Sequence, residues 1–167
     1  MKKALASLFV AVLLLTSVQS FAQLAVDKGT KFINVGVGVG GNYFYSAGVG
    51  FNGAIDIGVV KDITVGAAGG FRSFGDGFGG FDIGARGSYH FNDLLNLTTD
   101  KADLYAGLGV TFFKYTGPYS SFYNSSFVTV PVHIGGRYFF SDNLGGFAEL
   151  GSSISILKVG LTFKLGQ

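Results

Sequence analysis

The constraint that narrows the fold most is an alternation of two residues that runs through nearly the whole chain. In Lys158-Val159-Gly160-Leu161-Thr162-Phe163-Lys164-Leu165, large apolar residues hold the odd positions and small or polar residues the even ones. That period belongs to a strand with one greasy face. Lysine, glycine and threonine cannot build a hydrophobic core, so the greasy face is expected to point outward, into lipid.

Eight segments read this way. Val35, Val37 and Val39 oppose Asn34, Gly36 and Gly38, and Ile55, Ile57 and Val59 oppose Asp56 and Gly58. The third segment sets Ile63, Val65 and Phe71 against Thr64, Gly66 and Arg72. The fourth sets Ile83, Ala85 and Tyr89 against Asp82, Arg86, Ser88 and His90. In the fifth, Leu104, Leu108 and Val110 oppose Asp103, Tyr105 and Thr111, and in the sixth, Val128, Val130, Val132 and Ile134 oppose Thr129, His133 and Arg137. A short seventh places Ala148 and Leu150 outward and Phe147 and Glu149 inward, and the C-terminal segment is the eighth. Pro131 removes a ladder donor inside the sixth segment, which predicts a bulge or local break there.

The first 22 residues read as a cleaved targeting segment. Lys2 and Lys3 precede the apolar stretch Ala4 to Val18, and Ser20-Phe21-Ala22 offers small residues for cleavage. The apolar run is short of the roughly 20 residues a spanning helix needs. Residues 23–167 are then expected to form a single domain. Charged residues make up only 13% of the chain, against about 25% in soluble domains. Beyond the targeting segment no apolar run is long enough for a spanning helix, and a closed barrel is the other way to satisfy a backbone in lipid. The expected fold is therefore all-β, an eight-stranded antiparallel transmembrane β-barrel of up-and-down connectivity. A soluble barrel would carry its aliphatic residues inside and its charges outside.

Charge and cysteine exclude several functions. Of 12 Lys and Arg against 10 Asp and Glu, Lys2 and Lys3 leave with the targeting segment, so the remainder is balanced and nucleic acid is not an expected partner. Cysteine is absent, which removes a disulfide framework and an acylated N-terminal cysteine.

With both ends in the periplasm, the connections sort by side. The outer loops are expected at Gly41 to Tyr45, Gly75 to Gly80 and Thr116 to Ser126, with a tight turn near Ser153-Ile154. The inner turns fall at Lys61-Asp62, Asn92 to Lys101 and Ser141 to Asn143, with a short helix expected over Asp93 to Leu97. Thr116 to Ser126 offers the largest outer surface, and Tyr119, Phe122 and Tyr123 are candidates for contact with a surface partner.

The pattern resembles the small eight-stranded outer-membrane barrels of the OmpA/OmpX type. Substrates of the barrel-assembly machinery commonly end in polar-x-Gly-x-x-apolar-x-apolar, which Lys158, Gly160, Phe163 and Leu165 fill, followed here by Gly166-Gln167. The resemblance implies folding into the outer membrane by that machinery, with lipid as the surrounding partner.

Candidate chemistry is sparse. Gly36 to Gly41 satisfies G-x-G-x-x-G with Asp56 beyond it, but another strand follows where a helix must open, so nucleotide binding is not expected. The inward charges form the candidate site: Asp56, Arg72, Asp82, Arg86, His90, Asp103, His133, Arg137, Glu149 and Lys158. Symmetrical turns would set Arg72 opposite Asp82, and Glu149 between Lys158 and Arg137, with His90 near Asp103. An eight-stranded interior is just wide enough to be filled by side chains. A polar plug is the leading expectation, a gated ion path the alternative. His133, Ser153 and Glu149 could approach one another as in the outer-membrane hydrolases that modify lipid, which makes a lipid-modifying enzyme the third reading. They point into a narrow lumen rather than toward lipid, so no enzyme activity is expected. Two isolated histidines without cysteine predict no metal site, and no cofactor is expected.

Overall fold

The computed structural model describes residues 23–40, 48–75, 77–117 and 126–165. Among the described residues nine strands follow in order: β1 (Lys31–Val39), β2 (Val49–Val60), β3 (Ile63–Gly75), β4 (Phe78–His90), β5 (Ala102–Thr116), β6 (Ser126–Thr129), β7 (Val132–Phe139), β8 (Leu144–Gly151) and β9 (Leu157–Leu165). Neighbours in sequence pair antiparallel, except that β6 and β7 both pair with β5. The sheet closes where β1 meets β9, unbroken from Lys31↔Leu165 to Val39↔Leu157.

The barrel has eight staves because β6 and β7 are two halves of one strand. Both pair with β5, and Thr111↔Thr129 continues directly into Leu108↔Val132. Pro131 withholds its donor, yet its carbonyl still accepts the Gly109 amide at 2.9 Å. The proline therefore breaks the strand without slipping its register.

Alternation decides which face each side chain takes. Val35, Ile55, Val65, Ile83, Leu108 and Ile134 are exposed on the outside, while Asn34, Asp56, Thr64, Asp82, Tyr105 and His133 are buried within. This inverts the arrangement of a soluble protein and matches a wall in contact with hydrocarbon.

Two expectations about connections are corrected. Residues 92–96 form turns rather than the helix expected over 93–97: the Leu97 amide bonds back five residues to the Asn92 carbonyl, and Asn96 adopts a positive φ of 48°. The loop expected over Gly75 to Gly80 is shorter, since β3 and β4 extend to Gly75 and Phe78 with a register shift between Ser73 and Gly75. The expected loop over Gly41 to Tyr45, the targeting segment, and Tyr119, Phe122 and Tyr123 lie outside the described residues.

Candidate functional site

The site is the barrel interior, built in three layers. The middle layer is ionic. Two arms of Arg86 grip Asp56, Nε to Oδ1 at 2.8 Å and Nη2 to Oδ2 at 3.1 Å. Its third nitrogen, Nη1, donates to Glu149 Oε2 at 2.9 Å. Lys158 donates to the other Glu149 oxygen at 2.9 Å, and the Tyr105 hydroxyl adds a bond to Oε2 at 3.1 Å. Arg137 links this group to the next one down, reaching Asp56 and Asp103 at 2.6 Å each. Asp103 also takes His90 Nδ1 at 2.7 Å and Asn92 Nδ2 at 3.0 Å, and His90 Nε2 meets the Thr64 hydroxyl at 3.1 Å.

Arg137 is also clamped on its faces. The guanidinium carbon lies 4.4 Å from the Phe32 ring centre and 4.1 Å from that of Tyr105. Cations over aromatic rings gain most when stripped of water, and here Arg137, Phe32 and Tyr105 are all buried.

The layer at the end where Lys31 pairs with Leu165 is a plug of backbone. Residues 23–30 run beneath the barrel, with Leu24 and Val26 packed on Phe32 and Phe139. Their main chain is tied down at Asp62 N to Val26 O (2.8 Å), Gly58 N to Thr30 O (2.7 Å) and Asn92 Nδ2 to Leu24 O (3.2 Å). Sequence reading missed this cap; its one signal is the apolar pair Leu24 and Val26, spaced by two.

The far end is closed by the β8–β9 turn. Ile154 is only 1% exposed and sits among Phe78, Phe113 and Tyr115, with Phe74 and Phe127 alongside. Its amide donates to Asp82 Oδ2 at 3.2 Å and its carbonyl accepts Arg72 Nη1 at 3.2 Å. Arg72 also bonds the Gly40 carbonyl. Between this turn and the ionic layer lies a cavity of about 40 Å³, bordered by Asn34, Asn52, His133, Glu149 and Lys158. That volume suits one or two waters.

All ten charged or histidine positions face the lumen, but two expected pairings are corrected. Arg72 lies opposite Gly80, and Asp82 opposite Gly70. The extra residue at Phe74 slides the partners by one, and a turn that sets Gly75 opposite Phe78, centred half a residue early, slides them by one more. Instead of meeting each other, the two side chains clasp the Ile154 peptide from either side. Likewise Glu149 lies opposite Gly135 and Arg137 opposite Phe147, because the turn centres on Asp142 rather than Asn143. Arg86 takes the place expected for Arg137 on Glu149. The Glu149–Lys158 and His90–Asp103 contacts form as the spacing implied.

The β8–β9 turn is centred as expected, but it folds into the lumen rather than standing outside. His133 Nε2 meets the Ser88 hydroxyl at 2.8 Å, and Ser153 bonds the Ser155 carbonyl at 3.5 Å, so His133 and Ser153 are not joined.

This geometry is that of a small outer-membrane β-barrel. No protein-family model and no curated protein sequence matches the chain. Solved structures do. The N-terminal β-barrel domain of Pseudomonas aeruginosa OprF is similar with a TM-score of 0.57 at 15% identity, over 83% of this chain and 98% of that one. The Yersinia pestis outer membrane protein Ail, in a phospholipid bilayer nanodisc, is similar with a TM-score of 0.52 at 15% identity, over 83% and 100%. A de novo designed transmembrane β-barrel is similar with a TM-score of 0.56 at 19% identity, over 83% and 98%. These likenesses establish the fold of small eight-stranded outer-membrane barrels, and a fold alone does not assign a task.

Proposed function

We propose that this protein is exported by a segment cleaved after Ala22 and resides in a Gram-negative outer membrane as a scaffold with a charge-plugged lumen. The barrel-assembly machinery would fold it, reading Lys158, Gly160, Phe163 and Leu165 on β9, and the loop from Thr116 to Ser126 would present Tyr119, Phe122 and Tyr123 to a surface partner. It acts without catalysis. The observation that carries this reading is the middle layer, where Asp56, Asp103 and Glu149 are each held by two cationic or histidine partners. A carboxylate so held has no reason to bind a passing ion.

The cavity above that layer favours a second reading, a narrow porin-like pore for ions or small solutes. Conductance of the refolded protein in a planar bilayer separates the two. A silent wild type with a leaky Arg137→Ala variant supports the plugged scaffold. Steady wild-type openings with ion preference altered in that variant support the pore.

A further inference from the structure

The β8–β9 turn occupies one seat and leaves another empty. The β7–β8 ladder runs to His133↔Gly151, and the Ser152 amide adds one more bond to the Val132 carbonyl at 2.9 Å. Continued by two residues, that ladder would set Ile154 opposite Val130 on the outer wall, in line with Leu150. The chain instead turns inward at Ser153 and buries Ile154 in the lumen.

The wall is left notched. β6 rises past the end of β8 and, among the described residues, pairs only with β5. Pro131 bonds Gly109 on the β5 side, so by strand alternation the main-chain groups of Val128 and Val130 point into the notch. Both valines are 65% exposed. Main-chain groups left open beside hydrocarbon are costly, and Ile154, at the tip of the turn, is the residue in register to cover those of Val130.

The inward seat is also shaped for the turn. A Cβ on Gly38 would stand 2.5 Å from the Ser155 Cβ, and one on Gly70 would stand 3.1 Å from the Ile154 side chain. Those two glycines leave the room that the turn fills. Arg72 and Asp82 then hold it through one peptide.

We propose that the Ser152–Ser155 turn is a two-position stopper. Seated inward, it seals the mid-lumen cavity from the far end of the barrel. Swung upright into the notch, it covers the edge at Val130 with Ile154 facing outward, and water and small cationic solutes enter the cavity as far as the ionic layer. The proposal rests on the closed-lumen reading and names the element that regulates the closure.

The chain has no cysteine, so single thiols report cleanly. Asn52→Cys places a thiol on the cavity wall beneath the turn, and Ser73→Cys places one on the exposed rim. Both would be reacted with a small water-soluble thiosulfonate cation on the folded barrel, with folding checked by heat-modifiable gel mobility. Labelling at Asn52→Cys should be at least tenfold faster once Ile154→Gly or Arg72→Gln is added, with Ser73→Cys unchanged. Equal rates at Asn52→Cys in all backgrounds would overturn the seal. The second seat is read by Val130→Cys with Ile154→Cys under mild oxidation. A cross-link within folded barrels supports the upright position, and its absence after prolonged oxidation overturns it. Neither readout is conductance, so a conducting wild type would defeat the plugged-scaffold reading without deciding this one.

Discussion

At the scale of single residues, Arg137 has the most to lose. It bonds Asp56, Asp103 and Asn34 and lies between two rings. Breaking a buried pair by removing one partner costs about 3–5 kcal/mol. Arg137→Ala should fall in that range by urea unfolding in phospholipid vesicles. Arg137→Lys should recover only part of it, since an ammonium keeps the charge but loses the fork. Asp62, in the β2–β3 turn at the rim, gives a pH-dependent test. Burial pushes its carboxyl above the ordinary range. The folded state then holds that proton more tightly than the unfolded state does. The contribution of Asp62 is therefore most favourable at low pH and is lost as pH rises from about 4 through the raised value. Asp62→Asn, which tolerates the same φ of 60°, should be relatively more stable than wild type above that window, and the difference should vanish below it.

At the scale of elements, the N-terminal cap and the broken strand each make a prediction. Truncating Leu24 to alanine leaves a void against Phe32 and Phe139. A loss of about 2 kcal/mol or more is expected in the same unfolding assay. Pro131→Val restores a donor where the register is already continuous. Hydrogen exchange should show the new amide protected, with a gain of about 1 kcal/mol. The strands were legible because lipid outside and polar side chains inside impose a strict alternation, from Val35 in β1 to Leu165 in β9. Turn centres were less legible. The bulge at Phe74 and the early turn beyond it each moved the β3–β4 partners by one. A β7–β8 turn centred one residue early, on Asp142, moved its partners by two, so every residue kept its face while changing its neighbour. That is why the lumen membership of Arg72 and Glu149 could be read, but only some of their pairings. The inward fold of Ile154 was illegible for a further reason: its apolar side chain suits an outward strand position equally well.

At the scale of the whole molecule, the ionic layer joins β2, β4, β5, β7, β8 and β9 through seven side chains, from Asp56 and Arg86 through Arg137 to Glu149 and Lys158. Buried pairs are screened far less than surface pairs. Unfolding free energy should therefore change little between low and high sodium chloride, and a steep loss with salt would show that water reaches the layer. The seam carries a different consequence. β1 and β9 lie at opposite ends of the described chain, yet Asn34 accepts the Thr162 hydroxyl and Arg137 across it. Until Leu165 lies beside Lys31, the charges of the unfinished curl have an open side and no dry interior. Hydrocarbon cannot receive such a sheet. Entry into the bilayer and stitching of the last stave to the first must be a single event, and a chain halted one hairpin short would be stranded at the membrane surface.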